Sequence, residues 1–212
     1  LSRSSAASDV YKRQPEKVTG AANGANTSAV FAGTNPNNGK RYVYLETLGG
    51  GMGARFTKDG KDGVQVHLTN TSNLPVEAIE MEYPLRVEEY SFVENSGGAG
   101  KYRGGLGIRR IIRPIAHKCE FSGVGERFKH SPWGVFGGQP GKPGKFYLKH
   151  KNGKITNLSS KSSSIYTNEN DAIVMETPGA GGYGNPKKRT KNNILKDKIS
   201  GKFSNSFLKK YY

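Results

Sequence analysis

Glycine is concentrated in four dense clusters of this chain: Gly49-Gly50-Gly51-Met52-Gly53, Gly97-Gly98-Ala99-Gly100 with Gly104-Gly105, Gly137-Gly138 with Gly141, and Gly179-Ala180-Gly181-Gly182-Tyr183-Gly184. Glycine is needed where the backbone takes positive φ or lies against another backbone, and it weakens helix interiors, so such clusters exclude a bundle of long helices. With 29 glycines and 10 prolines in 212 residues and a hydrophobic fraction of 33%, the chain reads as many short elements joined by turns. Its length fits one domain, or one domain with tails. None of the clusters spells a phosphate loop. Gly100-Lys101 lacks a glycine at position 95 and is followed by Tyr102, while Gly98, Gly100 and Gly104 have the wrong spacing for a dinucleotide fingerprint. By themselves they read as turns and close strand packing.

Strand signals recur from Arg41 onward. Tyr42 to Leu45 is rich in strand formers, and in Val64 to Leu68 the two valines and Leu68 share one face. From Leu85 to Val93 apolar side chains fall on both faces, which predicts a strand covered on both sides. Further strands are predicted over 107–112, 120–124, 146–150, 154–158 and 172–176, with Asn152-Gly153 closing a two-residue hairpin. A short helix is predicted near Pro75 to Met81. Leu195, Ile199, Phe203, Phe207 and Tyr211 recur every four residues, with Gly201 interrupting and Ser204 placed to cap, which predicts two short helices. The fold class is α+β and mainly β: antiparallel strands with glycine-rich turns and short C-terminal helices.

Net charge is +16, from 33 Lys+Arg against 17 Asp+Glu. Residues 187–212 hold nine cations and one acid, Asp197, a net of +8, so half the excess is expected on a solvated basic tail. Aromatic residues are not gathered on a basic surface, so a nucleic-acid partner is not favoured. The single cysteine, Cys119, excludes an internal disulfide and makes a reducing cytoplasm the default. No apolar run spans a bilayer and no signal peptide opens the chain. His67, His117, His130 and His150 lack metal-ligand spacing, so no metal ligand is assigned. Residues 1–14 have no periodicity and are similar to translated sequencing adapter, so they are expected to be non-native; 15–40 read as a loop-rich lead-in.

The chemically densest stretch is 67–77, where a strand ending in His67 runs into hydroxyls, amides and a carboxylate, the manner in which convergent polar groups are often presented. The same residues also suit side-chain-to-backbone turns, with Glu77 as a helix-capping partner.

The strings Glu46-Thr47-Leu48-Gly49-Gly50-Gly51-Met52-Gly53-Ala54-Arg55, Asp59-Gly60-Lys61-Asp62-Gly63 and Thr69 to Glu77, followed by Tyr83 to Glu88, Ser96 to Gly107, Pro132-Trp133-Gly134 with Gly137-Gly138, and Thr177 to Gly184, resemble in order the hydantoinase B / 5-oxoprolinase family, specifically the C-terminal part of its N-methylhydantoinase B-like subunit. The resemblance runs from about Tyr42 to Tyr212 and identifies 41–186 as a β-rich hydantoinase B-like domain followed by a basic tail, 187–212, with short helices. It departs from the family at Ala180 and Asn185 in the closing glycine string and at Asn170 before Asp171.

What the resemblance implies is a fragment of an ATP-dependent amidohydrolase that opens a cyclic amide, either 5-oxoproline or an N-substituted hydantoin. Relatives in the family carboxylate acetone or acetophenone. ATP and a divalent metal are expected elsewhere in the complex, on a hydantoinase A-like subunit or fused domain, and none in this chain. No catalytic residue is assigned. The substrate-binding candidates are Gly49, Gly50, Gly51 and Gly53 as backbone donors, Arg55 as a counter-charge, and His67, Asn70, Asn73 and Glu77, expected along one wall of a cleft. The competing readings are a basic nucleic-acid- or partner-binding module and a purely structural subunit-contact domain.

Overall fold

The computed structural model describes residues 14–67, 69 and 71–212; the adapter-like segment, Gln14 apart, lies outside them. Nine strands are described: β1 Thr27–Thr34, β2 Arg41–Leu48, β3 Leu85–Phe92, β4 Ile108–Pro114, β5 Cys119–Val124, β6 Lys145–Lys149, β7 Ile155–Leu158, β8 Lys161–Thr167 and β9 Ala172–Glu176. Three short helices accompany them: α1 Val76–Glu82, α2 Lys191–Ile199 and α3 Asn205–Tyr211. The strands form two antiparallel sheets, ordered β2-β1-β5-β8 and β3-β4-β9-β6-β7. Alternation sends Ala29 and Phe31 of β1, Tyr44 and Leu48 of β2, and Phe121 of β5 inward, where they meet Ile112, Phe146, Ile173 and Met175 of the second sheet. Phe121 packs edge-on against Phe146 at 5.8 Å, across the interface.

Several expected strands differ in the structure. Of the strand expected over 64–68, residues 64–67 form none and Val64 makes only a bridge to Gly50, while Leu68 lies outside the described residues. β3 is an edge strand with a register shift between Val87 and Glu89 that exposes Tyr90 and Phe92, so it is not covered on both faces. β1, within the expected lead-in, was hidden by its small residues, of which Gly33 leaves room for the rings of His117 and Tyr42. The Asn152-Gly153 hairpin is present, but only Gly153 has positive φ, and His150 N–H donates to the Lys154 carbonyl at 2.9 Å, so it is a longer turn than two residues.

The glycine clusters share one location. Extended segments 20–23, 50–54, 60–63, 97–106, 132–142 and 178–184 lie backbone against backbone, joined by bonds such as Gly51 N–H to Pro178 O, Gly105 N–H to Met52 O, Gly98 N–H to Ala180 O and Gly181 N–H to Ala21 O, all 2.8–3.0 Å. A Cβ on Gly51 would fall 2.6 Å from the Gly179 carbonyl carbon and 2.7 Å from the Ala180 nitrogen, so no side chain fits there.

The C-terminal segment docks on this glycine layer instead of extending into solvent. Arg103 forks onto Asp62 at 2.7 Å and Asp197 at 3.1 Å, and Arg189 onto Asp59 at 2.8 Å and Asp197 at 2.7 Å. Lys202 closes the set on Asp62 at 2.8 Å. Burial works against the Asp62 charge, but the Arg103 and Lys202 hydrogen bonds, the Arg103 charge and the Leu106 N–H hold its carboxyl below the usual range. Burial likewise opposes the charge on Arg103 and Arg189, yet their carboxylate partners hold both guanidinium groups above the ordinary value. Phe203 and Leu208 complete the docking against Leu106. The four-residue stripe is only partly the buried face: Leu195 and Ile199 are exposed, and the buried residue of α2 is Asp197. Gly201 makes the turn between α2 and α3, and Ser204 accepts from Phe207 N–H at 3.2 Å as the cap of α3.

Candidate substrate cleft

Where β2 leaves its sheet and enters the glycine layer, a cleft of about 700 Å³ is lined by residues 63–65 and the connection 71–76, together with Gly49 and Tyr90 of β3. Gly49 is tight against the main chain of Gly63 and Val64, where a Cβ would lie 2.9–3.0 Å from their atoms. Lys61, Thr71 and Ser72 reach the mouth as exposed polar side chains.

Asn73 holds the connection in place. Its Nδ2 donates to Glu46 Oε1 at 3.0 Å and to the Thr47 carbonyl at 3.3 Å, while its Oδ1 accepts from the Tyr90 hydroxyl at 2.9 Å. One side chain therefore ties this loop to an edge strand of each sheet. Behind it Arg110, fully buried on β4, lies 2.7 Å from Glu46 Oε1 and stacks 4.6 Å from the Tyr90 ring centre. Alternation explains both positions: Glu46 falls in phase with Tyr44 and Leu48, and Arg110 with Ile108 and Ile112, so each strand turns its charge inward.

The set is incompletely satisfied. Glu46 Oε2, the Tyr44 hydroxyl, Gln65 Oε1 and all three Arg110 guanidinium nitrogens make no aligned hydrogen bond among the described residues, so Arg110 and Glu46 attract each other chiefly as charges. Burial raises the Glu46 carboxyl above its ordinary value against the opposing pull of Arg110, Asn73 and Tyr44. Burial, then the Glu46 charge, pushes the Tyr44 phenol up, and burial does the same for Tyr90.

Of the residues singled out in the sequence, Gly49 and Asn73 border this cleft. Gly50, Gly51 and Gly53 belong to the glycine layer; the N–H groups of Gly50, Gly51, Met52 and Ala54 already donate to carbonyls of Val64, Pro178, Lys61 and Gly181 and are not open to an oxyanion. Arg55 turns back on Lys58 through mutual backbone bonds and does not line the cleft. His67 and Glu77 are exposed, Glu77 in the first turn of α1, whose N-cap is Pro75 without a side-chain bond, so the capping box is absent. Asn70 lies outside the described residues. Sequence reasoning missed Glu46 and Arg110 as a pair; their signal was a charge in phase with apolar neighbours on each strand.

Among the described residues no group of three His, Cys, Asp or Glu side chains can hold a metal. The convergent Asp59, Asp62 and Asp197 do not fit one either, being bonded to Arg103, Arg189 and Lys202.

The sequence profile of the family described as Hydantoinase B/oxoprolinase matches residues 6–186. An uncharacterized protein of Methanocaldococcus jannaschii is 44% identical over 195 residues, 92% of this chain and 33% of its own length. The B component of a putative D-/L-hydantoinase of Pseudomonas sp. is 34% identical over 84% of this chain and 30% of its own length. A 5-oxoprolinase of Dictyostelium discoideum is 40% identical over 66% of this chain and 11% of its own length. The chain therefore spans a third or less of these relatives. In fold it is similar to an ATP-dependent caprolactamase from Pseudomonas jessenii, with a TM-score of 0.80 at 24% identity over 92% of this chain and 35% of that one. It is also similar to an acetone carboxylase, with a TM-score of 0.77 at 18% identity over 96% of this chain and 31% of that one.

Proposed function

The chain belongs to the hydantoinase B/oxoprolinase family, and from that premise we propose that it forms part of an ATP-dependent hydrolase that opens a small cyclic amide such as 5-oxoproline or an N-substituted hydantoin. The observation that carries this reading is the family match across residues 6–186. Ring opening is a hydrolysis: water adds to the acyl carbon, the C–N bond breaks, and the nitrogen leaves with a proton. An amide carbonyl is a poor electrophile until its oxygen is activated, the step for which ATP is used, and we assign ATP to a partner subunit or another domain.

This chain's own share is to receive and orient the ring. The cleft volume of about 700 Å³ lies in the range of small-molecule sites. In this proposal the connection 71–76 forms its wall, Asn73 sets the position of that wall, and Lys61 faces the negative charge of a ligand carboxylate or an activated carbonyl oxygen. Asn73 is a positioning residue, since both ends of its amide are already occupied by the protein. Among the described residues no helix is long and apolar enough to cross a membrane.

The test uses the full-length protein carrying this segment, assembled with its ATP-binding partner and supplied with 5-oxoproline and with N-methylhydantoin. Phosphate release should match ring-opened product, and Asn73→Ala should lower kcat/KM by about a hundredfold through a displaced wall. Absence of ATP-coupled opening of both compounds overturns the reading.

A further inference from the structure

The first sheet, β2-β1-β5-β8, turns one face into the core, and the described residues leave the other uncovered. On that outer face the register aligns Val43 with Ala32, Leu45 with Val30, and Ala32 in turn with Glu120, which faces Tyr166. Val43, Leu45 and Tyr166 are 64%, 63% and 68% exposed, and Val124 adds a further apolar side chain on the same face. Single exposed apolar residues need no explanation, but several aligned by strand register on one sheet face do. At one end of this face a hollow of about 580 Å³ runs between Thr34, Arg41, His117, Lys118, Glu120 and Tyr166. Arg41, Lys118 and, at the opposite end, Lys161 make the rim basic, with Glu120 the acid among them.

We infer that this face is an internal interface, covered in the full-length protein by the remainder of its own polypeptide through an apolar surface with an acidic edge. Two observations select that occupant. The relatives from Methanocaldococcus jannaschii and Pseudomonas carry about two thirds of their length outside the region matched here, since this chain spans 33% and 30% of them. A segment tethered in the same polypeptide meets the face at high effective concentration. The second observation is charge: a basic rim around an apolar centre, in a chain of net charge +16, is complemented by carboxylates, one of which enters the hollow between Arg41 and Lys118. The inference uses family membership but not the proposed ring-opening activity.

The test is thiol labelling of the full-length protein with a maleimide. Val43→Cys, Leu45→Cys and Tyr166→Cys are compared with Ile155→Cys and Met81→Cys, which replace apolar residues 57% and 87% exposed elsewhere; Cys119 is buried. Circular dichroism checks each variant, and the three positions are read independently. The expected result is labelling at least about tenfold slower on the sheet face than at the controls, independent of protein concentration and of the ATP-binding subunit. Labelling at the control rate shows a free face and overturns the inference. Protection lost on dilution assigns the face to a second copy, and protection that requires the ATP-binding subunit assigns it to a separate partner; either also overturns it. Ring opening is measured on the same samples, so the fate of the activity is read separately.

Discussion

Two buried clusters of charge lie on either side of β2's exit from its sheet, and they are built to opposite standards. In the network of Asp59, Asp62 and Asp197 with Arg103, Arg189 and Lys202, three acids meet three bases, and each guanidinium forks onto two carboxylates. Backbone donors finish the set: Arg103 N–H reaches Asp59 at 2.8 Å and Leu106 N–H reaches Asp62 at 2.9 Å. The Glu46–Arg110 pair is also charge-balanced, but it leaves a carboxylate oxygen and the guanidinium nitrogens without aligned partners beside an open cleft. A satisfied network holds elements together, whereas an unsatisfied one retains polar capacity that a fold alone does not need. The contrast separates a clamp from the proposed site.

The largest expected effect breaks the clamp. Asp197→Ala removes the carboxylate shared by Arg103 and Arg189, leaving two buried guanidinium groups with lost partners, and should cost about 3–5 kcal/mol, read as a lowered urea midpoint. A cost below about 1 kcal/mol would show that the shared carboxylate is dispensable and that Arg189–Asp59, Lys202–Asp62 and the Phe203 and Leu208 contacts hold the C-terminal segment without it.

The second experiment sharpens the contrast by removing a whole pair. Replacing Glu46→Gln together with Arg110→Met eliminates both charges of the cleft pair, so stability should stay within about 1–2 kcal/mol of the parent. ATP-coupled ring opening by the full-length assembly should nevertheless fall by about a hundredfold, because Asn73 loses its charged anchor. The matching replacement in the clamp, Asp197→Leu with Arg189→Met, should not be rescued in this way, since Arg103 still loses one carboxylate and Asp59 its guanidinium. Equal stability losses in the two double variants would erase the distinction.

How much of this was legible beforehand differs between the two clusters. The sheet content, the short helices near 76 and 204, and the family itself were written in local strings such as Glu46 to Arg55 and Thr177 to Gly184. β1 and β8 were not, because Thr27–Thr34 and Lys161–Thr167 are rich in Ser, Ala and Thr and owe their strand state to pairing on β5. Apart from Arg189 and Asp197, eight positions apart, the clamp joins residues 41 to 140 positions apart, which no periodicity reports. Counting charge along 187–212 also misled: Arg189 and Lys202 are neutralised by Asp59 and Asp62 from outside that segment. The glycine cluster at 49–53 was expected to offer backbone donors to a ligand, but its N–H groups at 50 and 51 serve the fold.

Acid separates the clusters by sign. Glu46 has its carboxyl raised from 4.5 in the folded state, so its contribution to stability is complete below that value and is lost as pH rises through the higher folded value. Asp62 is lowered from 3.8, so its contribution is present above 3.8 and is lost as pH falls through the lower folded value. Stability measured against pH should therefore flatten on the neutral side in Glu46→Gln and on the acid side in Asp62→Asn. Matching profiles for the two variants would contradict the opposite directions assigned to them.

The smallest effects come from trimming one peripheral member of each cluster. Lys202→Met removes a cation that is about one-third exposed, while Asp62 keeps two bonds from Arg103 and one from Leu106 N–H, so the loss should stay below about 1 kcal/mol. Tyr90→Phe deletes one hydroxyl bond and keeps the ring over Arg110, so its stability cost should be similar, about 0.5–1.5 kcal/mol. Function should tell them apart. Among the described residues the Tyr90 hydroxyl makes the one hydrogen bond from β3 to Asn73, and its loss frees Asn73 Oδ1 at the cleft wall; the Lys202 bond lies within the clamp. Tyr90→Phe should therefore raise KM for the cyclic amide several-fold, by about the 1 kcal/mol that one hydrogen bond supplies, with kcat less affected. Lys202→Met should leave both constants unchanged. A KM shift in Lys202→Met equal to that in Tyr90→Phe would mean that the clamp sets the cleft's shape as well, and the division between clamp and site would fall.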